Sequence, residues 1–280
     1  MKVGRMDMYK LIVSDLDETL LRDDGTISDA NVAAIKAARD QGVKFVPNTG
    51  RSFTSVRALL DTLGLAGRDD QYVIAYNGGA TVSNLNDRVV AANPMDYDVA
   101  RRIFEVTKTF PDTDTHIYTL NEMFMYQPRA DDMEYLRTRG AAFTVMPDDD
   151  FSRFRDLQIM KVITMNPDPT VQRAVADQVM AALDQQLNLT FSSGIYTEFN
   201  PLGVDKGVAA LQLGAALGIE QDEIIGIGDN LNDLPLLQKV GMPVSVANGR
   251  PEIKAAAKLV TDADYESGVA EMINRLILQA

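Results

Sequence analysis

The stretch that decides the fold is Lys10-Leu11-Ile12-Val13-Ser14-Asp15-Leu16-Asp17-Glu18-Thr19, an apolar run that leads into two aspartates. Its apolar half is typical of a short buried strand, and the polar residues after it are typical of a turn. If the strand is parallel to its neighbours, Asp15 and Asp17 lie in the crevice where open α/β sheets bind ligands. Two carboxylates this close repel each other unless a cation or a proton intervenes. The pair is a candidate Mg²⁺ site with a carboxylate nucleophile, and a turn with helix-capping aspartates is the alternative.

Composition narrows the class of protein. The 280 residues contain no cysteine and one histidine, His116, which excludes disulfides, thiolate catalysis and metal sites built from cysteines or several histidines. We expect His116 to be a strand residue rather than a catalyst. The net charge of −13 argues against nucleic acids and anionic membranes as partners. An anionic small molecule is still allowed, but its site needs local positive charge.

The sequence shows no sign of export or of a membrane span. No apolar stretch reaches the roughly 18 residues that a spanning helix needs. Residues 1–8 are too polar for a secretory signal. We therefore expect a cytoplasmic protein with a short disordered leader at residues 1–8, and we leave the oligomeric state open.

Strand and helix patterns alternate in the first and last parts of the chain. Strands at 10–14, 43–46 and 72–76, each followed by a polar or glycine-rich turn, predict a βαβαβ unit with a parallel sheet. The alternation returns near residue 200, where a helix at 205–217 precedes a strand at 223–227. We predict an α/β protein with a doubly wound, Rossmann-like parallel-sheet core.

The middle of the chain interrupts this alternation. A hairpin pattern follows residue 80, and mixed helical and alternating segments continue to about residue 193, which is typical of an α+β module with an antiparallel sheet. We therefore predict two domains. The core comprises residues 1–83 plus 194–280, and the inserted α+β domain comprises residues 84–193.

Residues with useful chemistry stand at the predicted carboxyl ends of the core strands. Asp15 and Asp17 follow the first strand, and Thr49-Gly50-Arg51 follows the second. Lys206 opens a helix, and residues 228–233, Gly-Asp-Asn-Leu-Asn-Asp, follow a later strand. The carboxyl ends of parallel strands face one crevice, so these groups are expected to lie together. The carboxylates can bind a cation, the hydroxyl and backbone amides can donate to phosphate oxygens, and the ammonium group can offset negative charge.

Each of these residues also has an ordinary structural interpretation. Thr49 can cap a helix, Lys206 can be a solvated surface lysine, and Asp233 can complement a helix dipole. The whole set in this order is far rarer by chance than any single match. The combination therefore favours one shared site.

The four motifs resemble those of the haloacid dehalogenase superfamily of phosphohydrolases. They match in order at Asp15-Leu16-Asp17-Glu18-Thr19, Thr49-Gly50-Arg51, Lys206, and Gly228-Asp229 through Asn232-Asp233. The insert lies between the second and third motifs, as in the Cof-type branch with its large α/β cap. Further segments look like that branch: Asn77-Gly78-Gly79-Ala80, Gly203-Val204-Asp205-Lys206-Gly207 and Val246-Ala247-Asn248-Gly249. The chain departs from the family at Glu18, where glycine is more common, and slightly at 245–248.

The resemblance implies a phosphatase that works through an aspartyl-phosphate. Asp15 is then the nucleophile, and Asp17 is the acid that protonates the leaving oxygen and the base that activates water. The implied cofactor is Mg²⁺, with Asp15, the backbone carbonyl of Asp17 and Asp229 as its ligands.

The remaining motif residues are implied to bind the phosphoryl group. Thr49, the amide of Gly50 and Lys206 hold its oxygens or offset its charge. Asn232 contacts the phosphate or a metal-bound water, and Asp233 orients Lys206.

The resemblance also implies a role for the insert. It closes over the site, excludes water and selects a small phosphorylated substrate, such as a sugar phosphate, a nucleotide or a phosphorylated cofactor. Side chains that could select the substrate are His116, Tyr118, Tyr126 and Arg129.

Other functions are compatible with parts of the pattern. A phosphomutase or phosphotransferase uses the same intermediate but protects it from water. A non-enzymatic phospho-acceptor domain also combines acidic residues, a threonine and a lysine, but in one short domain, whereas Lys206 lies far beyond Thr49 here. A dinucleotide-binding enzyme lacks support because no G-x-G-x-x-G turn follows the first strand.

Overall fold

The structure is a computed structural model that describes residues 9–279. The leader predicted at residues 1–8 lies outside the described residues. The chain forms two compact units, one of residues up to Ala91 together with those from Asp205 onward, and one of residues Ala92–Val204. Among the described residues, no helix combines the length and the apolar character needed to cross a membrane.

The strands predicted at 10–14, 43–46, 72–76 and 223–227 and the helix predicted at 205–217 are present, with small differences at their ends. In chain order, the strands of the described residues are β1 (Leu11–Ser14), β2 (Lys44–Pro47), β3 (Tyr72–Ala75), β4 (Ala80–Ser83), β5 (Arg88–Ala92), β6 (Asp114–Thr119), β7 (Met123–Tyr126), β8 (Thr144–Val145), β9 (Ile159–Met165), β10 (Leu187–Ser192), β11 (Tyr196–Pro201), β12 (Ile224–Gly228), β13 (Met242–Ser245) and β14 (Leu259–Val260). The α-helices are α1 (Asp29–Asp40), α2 (Arg57–Leu63), α3 (Tyr97–Thr107), α4 (Ala130–Thr138), α5 (Pro169–Ala182), α6 (Lys206–Ala216), α7 (Leu234–Lys239), α8 (Pro251–Ala256) and α9 (Gly268–Ile273).

Strand β1 lies inside the sheet of the first unit, between β12 and β2. Within the described residues it belongs to a five-stranded sheet of order β14-β13-β12-β1-β2, and every pair of neighbours in it is parallel. All four β1 residues are buried, as a strand covered on both faces requires. Leu11 and Val13 pack against apolar side chains of α6, α7 and α8, while α1 packs against β2 and α9. The Rossmann-like core is therefore confirmed, and the carboxyl ends of its parallel strands all lie at one edge of the sheet.

Local signals explain where the first crossover helix begins and ends. The Ser28 hydroxyl accepts a hydrogen bond from the amide of Asn31 at 3.2 Å, which satisfies a donor that the first turn of α1 leaves free. After α1 the chain turns at Gly42, whose φ of 88° suits glycine. These two residues flank α1, which delivers the chain to β2 beside β1.

The third predicted strand, β3, lies beside the end of β2, where the bridge between Asn48 and Ile74 is parallel. Its other partner is β4, with which it pairs antiparallel in a sheet of order β3-β4-β5. The chain reverses directly after β3 because Tyr76, Asn77 and Gly78 adopt φ values of 56°, 55° and 100°. The parallel placement predicted for the third strand is therefore confirmed at its bridge to the end of β2, and the hairpin predicted after residue 80 is confirmed as well.

The second unit is an α+β module, as predicted. Its sheet has the order β10-β11-β9-β6-β7-β8, and its neighbours are antiparallel except for β7 and β8. Helices α3 and α5 cover one face, where Phe104, Val162 and Phe199 are fully buried. His116 lies in β6, as expected for a strand residue. It is fully buried, so it is not available as a substrate selector.

The predicted domain boundaries differ from those of the compact units. The prediction placed the insert at 84–193, whereas the second unit is Ala92–Val204. The first boundary moves because β5 is hydrogen-bonded to β4 of the first unit. The second moves because β11 lies between β10 and β9 and cannot be separated from them.

Glu18 has an unusual backbone conformation in the turn after β1. Its φ of 61° lies in the left-handed region, where side chains other than glycine are disfavoured. Its carbonyl accepts a hydrogen bond from Nδ2 of Asn248 at 2.7 Å, and its side chain is exposed. The positive φ explains physically why the family that this chain resembles more often has glycine at this position.

We expect Glu18→Gly to raise the free energy of unfolding. Relief of the left-handed strain, about 1–2 kcal/mol, exceeds the extra entropy that glycine brings to the unfolded chain, about 0.5–1 kcal/mol. Urea denaturation should show a net gain of about 0.5–1 kcal/mol. The control is Ala33→Gly at an exposed position inside α1, which should lose about 1 kcal/mol. A loss at both positions would contradict the strain at Glu18.

Candidate active site

Asp15 lies directly beyond β1, at the edge where the parallel strands end. Its amide donates to the carbonyl of Ile227 at 3.0 Å, so pairing with β12 continues one residue past β1. The side chain is buried, with 5% of the residue exposed. Its Oδ1 accepts a hydrogen bond from Nζ of Lys206 at 2.5 Å. The predicted nucleophile and the predicted lysine are therefore in direct contact.

Lys206 is the first residue of α6 and is fully buried. Asp205 caps this helix through hydrogen bonds from the amides of Gly207 and Val208, at 2.8 and 2.7 Å. Nδ2 of Asn48, in the loop after β2, donates to the Lys206 carbonyl at 3.0 Å. These contacts fix the start of α6, so the ammonium group is held in one place.

The Lys206 ammonium group lies between two carboxylates. Besides Asp15, its Nζ contacts Oδ1 of Asp233 at 2.6 Å. Burial opposes the charge of Lys206, but the carboxylates of Asp15 and Asp233 outweigh burial and raise its pKa. The ammonium group therefore stays charged and offsets negative charge inside the site.

The turn after β12 brings two more carboxylates to the same place. Oδ2 of Asp233 accepts hydrogen bonds from the amides of Asp229 and Asn230, both at 3.0 Å. Gly228 permits this close approach, since a Cβ at that position would lie 2.5 Å from Cβ of Asp233. Oδ1 of Asp229 accepts a hydrogen bond from the Thr19 hydroxyl at 2.6 Å. Asp233 thus holds both Lys206 and the turn that carries Asp229.

The carboxylates of Asp15, Asp229 and Asp233 can each offer an oxygen within 4.8 Å of the others. Burial, aided by Asp233, raises the pKa of Asp15 to about 7. Burial, together with Asp15, raises the pKa of Asp229 to about 9. At neutral pH the cluster therefore favours a bound proton or cation. Carboxylate oxygens are the donors that hard divalent cations prefer, so the residues fit such an ion.

Asp17 has a different environment from Asp15. Its side chain is 48% exposed. Nε of Arg51 donates to its Oδ2 at 2.9 Å, and Nη2 of Arg51 donates to its Oδ1. Arg51 has no separate role in the motif pattern, and the available signal was its place in the turn after β2, the strand next to β1.

Thr49, Gly50 and Asn232 line the same edge of the sheet without joining the carboxylate cluster. The buried Thr49 hydroxyl accepts a hydrogen bond from the amide of Arg51 at 3.0 Å, and the Thr49 amide donates to the carbonyl of Ile74 at 2.9 Å. Gly50 lies close to Asn77, whose Oδ1 would be 3.1 Å from an added Cβ. Asn232 is half-buried in the single turn that ends at Asp233.

Two supporting residues were not recognised as such from the sequence. Thr19 binds Asp229, and Asn48 binds the main chain of Lys206. Each stands next to a motif residue at the end of a strand, but its partner is distant in the sequence. Only the folded sheet brings these partners together.

Comparisons with known proteins agree with this arrangement. The family model for haloacid dehalogenase-like hydrolases matches residues 12–273. "Putative phosphatase YxeH" of Bacillus subtilis strain 168 is 31% identical over 97% of this chain and 99% of its own. The phosphatase YcsE of the same organism, named for 5-amino-6-(5-phospho-D-ribitylamino)uracil, is 27% identical over 99% of this chain and 100% of its own.

A solved structure shows the same fold over nearly the whole chain. A haloacid dehalogenase-like hydrolase from Bacteroides thetaiotaomicron superposes with a TM-score of 0.83 at 26% identity, over 96% of this chain and 100% of its own. The sequence match and the fold therefore agree. The chain belongs to the haloacid dehalogenase-like hydrolases and, among them, to the Cof-type phosphatases.

Proposed function

We propose that this protein is a Mg²⁺-dependent phosphatase that hydrolyses the phosphate monoester of a small phosphorylated metabolite in the cytoplasm. The observation that carries the proposal is the buried contact between Asp15 and Lys206, beside the carboxylates of Asp229 and Asp233. It supplies a fixed carboxylate and a fixed ammonium group at the ligand-binding edge of a parallel sheet.

The first chemical step is attack on phosphorus by a carboxylate oxygen of Asp15. A bond forms between that oxygen and phosphorus as the bond to the leaving oxygen breaks, which gives an aspartyl-phosphate. A carboxylate and a phosphate about 3 Å apart repel each other strongly, and the Lys206 ammonium group reduces this repulsion. Thr49 and the amide of Gly50 hold phosphoryl oxygens, and Asn232 contacts the phosphate or a metal-bound water.

Asp17 transfers the proton in both steps, first as a general acid and then as a general base. It gives a proton to the leaving oxygen in the first step and then takes one from the water that attacks the aspartyl-phosphate. That attack releases inorganic phosphate and restores the Asp15 carboxylate. The two bonds from Arg51 orient the Asp17 side chain, while its exposure leaves it open to the leaving group and to water.

A divalent cation completes the charge balance. Asp15, Asp229 and the backbone carbonyl of Asp17 are the proposed ligands for Mg²⁺, which when bound offsets the charge of the nucleophile and of the phosphate. Asp233 holds Lys206 and the Asp229 turn in position.

The substrate class rests on the relatives. YcsE is named for a ribityl phosphate, so sugar-like phosphates, nucleotides and phosphorylated cofactors form the test panel for this chain. We expect phosphate release from at least one member, equal in amount to the dephosphorylated product. Product isomers or phosphoryl transfer without phosphate release would instead favour a mutase or a transferase.

We expect Asp15→Asn to abolish turnover, by about 10³-fold or more, because an amide cannot act as the nucleophile. The measurement is phosphate release under saturating Mg²⁺, with circular dichroism to confirm folding. The matched control is Asp61→Asn, an exposed aspartate of α2 in the same unit, which should keep full activity. Substantial activity in Asp15→Asn would reject Asp15 as the nucleophile.

We expect Asp17→Asn to slow the reaction in proportion to the basicity of the leaving group. Sugar phosphates should lose about 10²–10⁴-fold in kcat, because their alkoxides need a proton. The loss should be much smaller with 4-nitrophenyl phosphate, whose phenolate leaves without one. Equal losses for both substrates would contradict the acid role.

We expect exhaustive chelation to reduce activity to background, and Mg²⁺ to restore it. Asp229→Asn should raise the Mg²⁺ concentration for half-maximal activity by about 10-fold or more, since a charged ligand is lost. Asp61→Asn should leave that concentration unchanged. Full activity after chelation would show that the acidic cluster serves another purpose.

A further inference from the structure

A second polar cluster is buried inside the unit Ala92–Val204. Asp114 and His116 stand two positions apart in β6, so their side chains lie on the same face of the sheet. Asp132, in the first turn of α4, reaches them from the helix that covers this face. All three residues have 0% exposure. None of the three belongs to the candidate active site around Asp15.

The three side chains converge on one point. Nε2 of His116 lies 2.7 Å from Oδ2 of Asp132. Asp114, His116 and Asp132 each offer a ligand atom within 4.8 Å of the others. The neighbours of His116 in the adjacent strands, Met125 and Ile163, are buried apolar residues. The cluster is therefore isolated from water.

In each carboxylate, one oxygen accepts a hydrogen bond from a residue outside the cluster, and the second oxygen faces the cluster. Oδ1 of Asp132 accepts a hydrogen bond from the Tyr196 hydroxyl at 2.5 Å. Oδ2 of Asp114 accepts one from the Arg129 amide at 2.8 Å. Among the described residues, Oδ1 of Asp114 and Nδ1 of His116 have no hydrogen-bond partner. Outer hydrogen bonds that orient carboxylates, with bare donor atoms inside, are typical of metal sites.

The ionised cluster holds more negative charge than its imidazole can offset. With both carboxylates ionised its net charge is negative in either state of the histidine, and burial raises the pKa of Asp114 to about 8, so a proton is held there when no cation is bound. Arg129 contributes its amide, but its guanidinium group binds Asp131 at 3.0 Å and is partly exposed. Buried carboxylates are normally paired with a cation or coordinate one. With a neutral imidazole, a divalent cation makes the charge of this cluster zero.

We propose that Asp114, His116 and Asp132 form a second divalent-cation site, separate from the Asp15 site and selective for transition-metal ions such as Zn²⁺. The imidazole nitrogen favours such ions, because Mg²⁺ prefers oxygen ligands. Ligand distances of about 2.1 Å require the contact between His116 and Asp132 to open by about half an ångström. The site is structural, since it ties α4 to β6 inside one unit.

The experiment uses the fact that His116 is the sole histidine of the chain. The full chain is produced without a histidine tag, in zinc-supplemented medium and with ¹⁵N-labelled histidine. Zinc content is measured by elemental mass spectrometry, and the two imidazole nitrogens are observed by NMR. We expect one Zn²⁺ per chain whose presence shifts one imidazole nitrogen resonance to a metal-bound value.

Three variants test whether this ion binds at the proposed site. Asp114→Asn, which keeps the shape of the side chain, should lose it and restore the metal-free histidine spectrum. Tyr196→Phe removes the hydrogen bond that orients Asp132 and should weaken Zn²⁺ binding by about 10–100-fold. Asp229→Asn should leave the histidine signals in their metal-bound form, because it changes the other site.

The proposal fails if the folded wild-type protein contains no Zn²⁺ attached to His116. It also fails if Asp114→Asn retains the metal-bound histidine signal. In either case the cluster is a hydrogen-bonded group that holds α4 on the sheet. Neither result depends on the proposed phosphatase activity, which is measured separately.

Discussion

The structure of the first unit depends on one buried ammonium group. Lys206 Nζ contacts Asp15 at the end of β1 and Asp233 in the turn after β12, while its main chain is bound by Asn48 after β2. Removing one partner of a buried ion pair costs about 3–5 kcal/mol, because the other charge is left unpaired. The same contacts therefore set the geometry of the candidate site and the register of the loops around it.

The environments of Asp15 and Asp17 explain how two similar carboxylates could act differently. Asp15 is buried, and its carboxylate contacts the ammonium group of Lys206. Asp17 is about half exposed, and its carboxylate is bound by Arg51. Strand alternation alone would place two residues this far apart in sequence on the same face. Their environments differ instead because Asp15 contacts the buried Lys206 and Asp17 is bound by Arg51.

Most of the candidate site could be predicted because it depends on strand ends. Apolar runs and the turns after them identify where a parallel strand stops, and Asp15 and Asp229 follow from that, whereas Lys206 begins α6 and was identified through the family motif. The antiparallel pairing of β3 with β4 could not be predicted, because the left-handed conformations of Tyr76 and Asn77 that reverse the chain have no periodic pattern. The contact between His116 and Asp132 was hidden for a similar reason. It depends on how α4 packs on its sheet, which the spacing of residues in β6 does not indicate.

The position of β1 between β12 and β2 has a consequence for how the protein is made. Leu11 pairs with Ile224, and Asp15 meets a lysine 191 positions later, so the sheet cannot close until both halves of the first unit exist. Until then β1 has an unpaired edge, which is a template for misassembly. The unit Ala92–Val204 is continuous in the sequence and can complete its own sheet earlier. During translation we therefore expect the inserted unit to fold first, and the sheet that carries the candidate site to form last.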